Sequence, residues 1–125
     1  MTKRYFFSKE ERLCNLSQID QLYKQGSSFS FYPFRIVYRQ SPINQTYPAQ
    51  IVITVPKRKF KRAVDRNKIK RLIREAYRKH KEDFLYPKLQ ASNTFLQIMI
   101  IYTGNEIITA KNLEKKLNLA LNRLV

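Results

Sequence analysis

The sequence has few of the residues that build covalent cross-links, metal sites and phosphate-binding loops. Among its 125 residues there are one Cys, one His, two Gly and no Trp. The single Cys14 excludes an internal disulfide, and it cannot form a zinc site by itself. With only Gly26 and Gly104 in the chain, a Gly-rich phosphate loop is excluded as well. We therefore interpret Cys14 as a small buried or half-buried apolar side chain.

Acidic residues are also scarce. The chain has 9 Asp and Glu residues, and the only adjacent ones are residues 10 and 11 and residues 82 and 83. Metal-dependent nucleases hold their ions with clustered carboxylates, and this sequence shows no such cluster. We therefore predict that the protein itself supplies no catalytic residue and binds no metal or other cofactor.

Long apolar runs are missing too. No stretch approaches the roughly 18 apolar residues of a transmembrane helix. The N-terminal residues lack the apolar region of a signal peptide. These absences predict a cytoplasmic protein that does not enter a membrane.

Positive charge is what the chain has in excess. It carries 25 Lys and Arg residues against 9 Asp and Glu residues, which gives a formal net charge of +16 at pH 7. A charge of this size indicates a polyanionic partner, either nucleic acid or an anionic membrane. Hydrophobic residues still make up 43% of the chain, so a core can form. The length predicts one domain covering residues 1–125.

About half of the basic residues lie in one stretch, residues 56–81. Its apolar residues keep the i, i+3, i+4, i+7, i+8 spacing of one helix face. These residues are Ile69, Leu72, Ile73, Ala76 and Tyr77. A neighbouring face of the same helix collects Arg66, Asn67, Lys70, Arg71, Arg74 and Arg78. One side of this helix is therefore predicted to pack on a core, and another to meet a polyanion.

The rest of the pattern predicts a sheet backed by helices. Ser17 is a candidate N-cap of a short first helix, Gly26 follows its end, and Pro33 divides an alternating segment into two strands. In chain order, the predicted elements are a flexible lead-in (1–8), a helix (17–25), two strands (within 27–40), a loop (41–48), a strand (50–55), the basic helix (from within 62–66 to about 81), a connection (84–93), a strand (95–102) and a helix (109–124). The strands at 50–55 and 95–102, with the helix between them, suggest a βαβ unit.

The segment AVDRNKIKRLIR at residues 63–74 resembles the protein component of bacterial ribonuclease P. That family carries an R-N-R core followed by x-K-R-x-x-R. The matching residues here are Arg66, Asn67, Lys70, Arg71 and Arg74. The strand end ITVPKR at residues 53–58, the K-x-G ending of the first helix and the leucine-rich last helix are similar as well. The resemblance therefore covers most of the chain.

The resemblance implies a specific fold. The family has an α/β fold of the α+β type, a two-layer sandwich similar to the second domain of ribosomal protein S5. Its order is α-β-β-β-α-β-α, which agrees with the elements predicted above. The βαβ crossover in this family is left-handed, against the general right-handed rule.

The resemblance also implies a function in tRNA 5′-end maturation. In the family, a large catalytic RNA holds the Mg²⁺ ions and removes the 5′ leader from precursor tRNA. The protein is the accessory subunit of this endoribonuclease, one monomer per catalytic RNA, and it binds both the catalytic RNA and the precursor tRNA. The charge alone leaves an alternative open, namely a ribosomal or other structural RNA-binding protein with no role in catalysis.

Carried over residue by residue, the resemblance implies two sites. The site for the catalytic RNA comprises Arg66, Asn67, Lys68, Lys70, Arg71 and Arg74. The cleft for the leader comprises Ile19, Tyr23, Tyr38, Thr54 and Arg58. The register of the strand containing Tyr38 leaves open whether Val37 or Tyr38 faces this cleft.

The chain departs from the family pattern at two of these positions. Lys68 replaces the second Arg of R-N-R, which keeps the charge but loses the bidentate fork of a guanidinium. On a helical wheel Lys68 points away from the main basic face, so we expect a mild effect. Ile19 stands where the family commonly has an aromatic residue, which removes one platform for base stacking.

Overall fold

Four strands form one mixed sheet in the computed structural model, which describes residues 9–41 and 45–124. The strands are β1 (Ser27–Phe31), β2 (Phe34–Gln40), β3 (Ala49–Thr54) and β4 (Leu96–Tyr102). They lie in the order β1-β2-β4-β3, with β3 and β4 parallel and the other neighbours antiparallel. The break at Pro33 and the βαβ unit are thus confirmed. The lead-in predicted for residues 1–8 lies outside the described residues.

The helices follow the predicted order, with one addition. They are α1 (Leu16–Gln25), α2 (Ala63–His80), α3 (Tyr86–Ala91) and α4 (Ala110–Asn122). A 3₁₀ turn (Lys9–Glu11) precedes α1, and a π-helical turn (Lys81–Leu85) joins α2 to α3. No helix in the described part of the chain is long and apolar enough to cross a membrane.

The segment at residues 84–93, predicted as a connection, is largely helical. Leu85, Tyr86 and Leu89 are all buried, and this spacing places them on one face of a continuing helix. Pro87, which indicated a break, lies in the first turn of α3. The prediction of an open connection was therefore wrong.

The ends of α1 are set by Asn15 and Gly26. The Asn15 side chain accepts a hydrogen bond from the backbone N–H of Gln18 at 3.1 Å, so Asn15 and not Ser17 is the N-cap. Gly26 has an extended conformation, with φ of −71°. A Cβ at this position would lie 2.5 Å from the carbonyl oxygen of Leu22. Gly26 is therefore required by close packing of the backbone and not by a left-handed conformation.

The two faces of the sheet are covered unequally. The main core lies between one face and the helices α2, α3 and α4, and includes Phe34, Ile36, Ile73 and Leu117. This arrangement confirms the predicted two-layer sandwich. The other face carries only α1, whose Leu22 packs in a smaller cluster with Leu13, Val37 and Met99. Because α1 has ten residues, it leaves part of that face uncovered.

A buried ion pair ties the N-terminal segment to the end of α2. Lys81 and Glu11 are 0% and 1% exposed, and the Lys81 ammonium donates to the Glu11 carboxylate. The Tyr86 hydroxyl donates to the same carboxylate oxygen at 2.5 Å. Lys81 was counted above with the basic stretch, but it is unavailable to a polyanion. It links the 3₁₀ turn and the π-helical turn across the sheet edge.

We predict that Lys81→Met lowers the free energy of unfolding by about 3–5 kcal/mol, because it leaves the buried Glu11 carboxylate without a cation. Urea denaturation measures this change. Lys79→Met is the matched control, since Lys79 is exposed and approaches Glu114 only to 3.9 Å, and it should cost at most about 1 kcal/mol. Equal losses in the two variants would contradict a stabilising role for the buried pair.

Candidate nucleic-acid interface

The outward face of α2 carries a shallow basic hollow. Asn67, Lys68, Arg71 and Arg74 are exposed and line an open space of about 520 Å³, together with Val64 and Asp65. The opposite side of α2 buries Ile69, Ile73, Ala76 and Tyr77. The helix therefore has the predicted division between an apolar side and a cationic side.

The position of Lys68 differs from the expectation. The helical wheel separates it from the main basic face, but its side chain lines the same hollow as Arg71 and Arg74. Residues three apart are neighbours on a helix surface, and long side chains reach sideways beyond their wheel angle. Lys68 therefore shares the hollow with Arg71 and Arg74, and the mild effect expected from its replacement of Arg stays a prediction.

Acidic neighbours do not neutralise this hollow. Glu75 forms a salt bridge with Arg78 at 2.6 Å, and the nearest approach of Asp65 is to Arg62 at 4.0 Å. Within the described residues, Lys68, Arg71 and Arg74 form no salt bridge. Unpaired cations at this density repel one another, and a bound polyanion would relieve that repulsion.

Arg66 is placed differently from the other predicted RNA-binding residues. Its side chain is half-buried, and its Nη1 donates hydrogen bonds to the carbonyl oxygens of Phe60 at 2.8 Å and Lys61 at 2.9 Å. These carbonyls belong to the loop between β3 and α2, whose Phe60 packs on the Tyr102 ring. Arg66 therefore fixes the loop that precedes the basic helix. Lys70 is also half-buried and does not line the hollow.

A groove lies on the face of the sheet that α1 leaves uncovered. It has a volume of about 500 Å³, with α1 on one side, the loop after β3 on the other and the sheet as its floor. The lining residues are Leu16, Ile19, Asp20, Tyr23, Arg35, Thr54, Pro56, Arg58, Lys59, Met99, Ile101, Tyr102 and Thr103. Four of the five residues predicted for a leader cleft, Ile19, Tyr23, Thr54 and Arg58, meet here. Their role in binding stays a prediction.

Tyr38 is the exception, because it lies on the opposite face of the sheet. Its ring packs edge-on against Phe29, with centroids 6.1 Å apart, beside the main core. Val37 points toward α1 but is buried beneath it, at 2% exposure. Since side chains alternate along a strand, the β2 residue that reaches the groove is Arg35. The assignment of Tyr38 to the cleft was therefore wrong.

The sequence reasoning missed Arg35 and Lys59 as groove residues. Arg35 follows from the alternation, because it has the opposite parity to Phe34 and Ile36. Lys59 carries no such signal, since its position depends on how the loop folds back. Its ammonium donates to the carbonyl oxygen of Thr103 at 2.5 Å, which joins the loop to the end of β4.

The groove combines apolar surface with positive charge. Leu16 and Tyr23 are 82% and 56% exposed at its rim. Arg35, Arg58 and Lys59 contribute cations, while the acid in the lining, Asp20, pairs with Lys24 at 3.1 Å. An exposed ring beside cations suits a single-stranded nucleic acid, whose bases stack while its phosphates are neutralised.

No metal site accompanies the hollow or the groove within the described residues. In residues 9–41 and 45–124, no three His, Cys, Asp or Glu side chains come together in a way that could hold a metal ion. His80 is buried and stacks on Phe84, with ring centroids 5.1 Å apart. Cys14 is exposed, so its interpretation as a buried or half-buried side chain was wrong. Burial lowers the pKa of His80 to about 4.

We predict that Arg66→Ala lowers the free energy of unfolding by about 1.5–3 kcal/mol, because the variant loses charged hydrogen bonds to two loop carbonyls. Arg71→Ala is the control. Its side chain is exposed and unpaired within the described residues, so the cost should stay within about 0.5 kcal/mol. Urea denaturation of both variants measures the difference. If Arg66→Ala were as stable as Arg71→Ala, the loop would not depend on the Arg66 contacts.

Comparison with known proteins identifies the family that shares these features. The family model described as Ribonuclease P matches residues 7–125 of this chain. A relative from Porphyromonas gingivalis, named Ribonuclease P protein component, is 33% identical over 117 residues, covering 94% of this chain and 85% of the relative.

Solved structures show the same fold. The RNase P protein of Staphylococcus aureus superposes with a TM-score of 0.72 at 24% identity, covering 91% of this chain and 94% of that protein. The RNase P protein of Thermotoga maritima gives a TM-score of 0.71 at 24% identity, covering 90% of this chain and 96% of that protein. At this identity, the structural similarity shows the fold alone.

Proposed function

Because this chain belongs to the ribonuclease P protein family, we propose that it binds the catalytic RNA through α2 and the 5′ leader of precursor tRNA in the groove beside α1. Membership in the family makes it a subunit of an endoribonuclease that acts in tRNA processing. The observation that carries the finer proposal is the separation of the two surfaces. The basic hollow lies on the helical layer, and the groove lies on the opposite face of the sheet.

The hollow on α2 suits a folded RNA. Its cations stand on a rigid helix, and Asn67 adds an amide that donates and accepts hydrogen bonds. Phosphate contacts of this kind supply affinity and orientation but carry little sequence information. Such a surface can position a folded RNA, such as a catalytic RNA subunit, without reading its bases.

The groove suits a strand of variable sequence. Stacking on Tyr23 accepts any base, and Arg35, Arg58 and Lys59 can neutralise phosphates without reading the base edges. The 5′ leaders of different precursor tRNAs differ in sequence, so a tolerant groove is what their recognition requires.

In this proposal, the catalytic RNA carries out the cleavage reaction. The catalytic RNA holds the Mg²⁺ ions, and the protein contributes neither a cofactor nor a catalytic side chain. One protein monomer joins one catalytic RNA in the cytoplasm. The alternative of a structural or ribosomal RNA-binding protein is less well supported, because the family model covers nearly the whole chain.

We predict that Lys68→Ala, Arg71→Ala and Arg74→Ala each weaken binding to the catalytic RNA. Each lost phosphate contact should make the plot of log K against log salt shallower by roughly one unit. Lys115→Ala provides a matched control, since Lys115 is an exposed lysine on α4, away from the hollow. Filter binding over a range of salt concentrations measures the slopes. Slopes equal to that of the unaltered protein in all three variants would place the catalytic RNA on another surface.

The groove generates a prediction that concerns the leader alone. Tyr23→Ala should weaken holoenzyme binding to precursor tRNA by about 1–3 kcal/mol, the usual value of one stacked base. Binding of mature tRNA and of the catalytic RNA should not change. Tyr23→Phe should bind like the unaltered protein, because stacking needs the ring and not the hydroxyl. An equal loss for precursor and mature tRNA would contradict leader binding in the groove.

A further inference from the structure

The loop between β3 and α2 connects the groove to the basic hollow. It comprises residues 55–62. Lys59 lines the groove, and Val64, in the first turn of α2, lines the hollow. Because an extended chain spans at most about 3.6 Å per residue, these two residues lie at most about 18 Å apart. The two surfaces therefore approach each other around this end of the sheet, although they face opposite sides of it.

Contacts on both sides hold this loop in place. The backbone N–H groups of Lys59 and Phe60 both donate to the carbonyl oxygen of Pro56, at 3.3 Å. The Phe60 ring is buried beside Tyr102, with centroids 5.9 Å apart. From α2, the Arg66 guanidinium donates to two carbonyl oxygens of the loop. These contacts use backbone atoms and one apolar ring, so most of the cations on the loop can still bind a partner.

The loop carries more positive charge than its neighbours neutralise. Its exposed cations are Lys57, Arg58, Lys59, Lys61 and Arg62. Asp65 approaches the exposed Arg62 guanidinium only to 4.0 Å, and Glu106 lies on the loop that follows β4. Lys57 and Lys61 form no salt bridge within the part of the chain that the structure describes. The excess of cations favours an anionic partner here.

The far end of α2 has mixed charge instead. The 18 residues of this helix extend about 27 Å, so its far end is well separated from the loop. The cations Lys79 and Lys88 stand there among the acids Glu82, Asp83 and Glu114. An anionic strand that runs between the groove and the helical layer is therefore favoured at the loop between β3 and α2.

We propose that Lys61 and Arg62 bind the phosphates of the leader nucleotides next to the cleavage site, where the precursor strand passes from the catalytic RNA into the groove. This inference rests on the function proposed above. In that function the catalytic RNA binds α2 and cleaves the bond, while the leader lies in the groove, so the strand must connect the two surfaces. The loop is the short cationic path between them. Counted from the cleavage site, the leader then meets Lys61 and Arg62 before it meets Tyr23.

The test uses holoenzyme reconstituted with the catalytic RNA and one tRNA that carries 5′ leaders of increasing length. Lys61→Ala and Arg62→Ala should each make the salt dependence of precursor binding shallower by roughly one unit, starting with the shortest leaders. Tyr23→Ala should weaken binding only with longer leaders. Binding of mature tRNA, and of the protein to the catalytic RNA, should not change in the two loop variants. Lys88→Ala is the matched control, because it removes an exposed lysine on α3, beyond the far end of α2.

Neutral methylphosphonates, placed at single 2′-deoxy positions of the leader, identify the phosphate that each side chain contacts. Next to the cleavage site, a methylphosphonate should weaken binding to the unaltered protein but add little to the loss in Lys61→Ala or Arg62→Ala, because the contact is already missing. At a leader position that reaches Tyr23, the two losses should add. Because the cycle compares affinities of each variant for two leaders, a small loss of stability in a variant does not imitate the result.

The outcomes separate this proposal from the assignment of the groove. If Tyr23→Ala shows a leader-dependent loss while Lys61→Ala and Arg62→Ala bind like the control, the path over the loop is overturned and the groove stands. Weaker binding of the two loop variants to the catalytic RNA itself would also overturn the path, because the loop would then belong to the surface for that RNA. Insensitivity of all three variants to the leader would overturn the assignment of the groove as well.

Discussion

Burial of one stripe of α2 against the sheet is the interaction on which both candidate surfaces depend. Ile69, Ile73 and Tyr77 are each 0% exposed, and burying side chains of this size stabilises the fold by about 1.5–3 kcal/mol each. Once this stripe is packed, the rotation of the helix is fixed and its cations must face outward. The same packing brings Arg66 to the carbonyls of the preceding loop. Core packing therefore orients the basic hollow and also shapes the loop that borders the groove.

The unequal covering of the two faces of the sheet is the second feature that determines where the candidate surfaces lie. Three helices shield one face, and the short α1 shields part of the other. The uncovered part leaves Ile101 half-buried in the groove, next to Arg35 and Lys59, while Met99 is buried at the groove floor. A domain that placed both surfaces on one helix would force two RNAs to compete. Here the sheet separates the two candidate surfaces, which under the proposed function allows the catalytic RNA and the leader to be bound together.

Much of this organisation could be predicted from the sequence, because it depends on local periodicity. The stripe on α2 and the break at Pro33 are properties of spacing alone. Residues whose position depends on distant contacts could not be assigned in the same way. Lys81 belongs to a basic stretch in the sequence but is paired with Glu11, seventy residues away. Tyr38 shares the parity of Phe34 and Ile36, so the alternation already indicated the core side, and its assignment to the cleft came from the resemblance alone. Arg66 gained a structural role through a loop that no pattern predicts.

The central claim, that two RNAs occupy opposite faces of one sheet, is tested most directly by lysine footprinting. The protein is treated with an amine-acetylating reagent alone, with the catalytic RNA, and with added mature tRNA or a non-cleavable precursor tRNA. Mass spectrometry then reports the reactivity of Lys68 in the hollow, Lys59 in the groove and Lys115 on α4 as a control. The account predicts that the catalytic RNA protects Lys68, that only the precursor adds protection at Lys59, and that Lys115 stays reactive. Protection of Lys59 by mature tRNA, or a Lys68 that stays reactive in the holoenzyme, would contradict it.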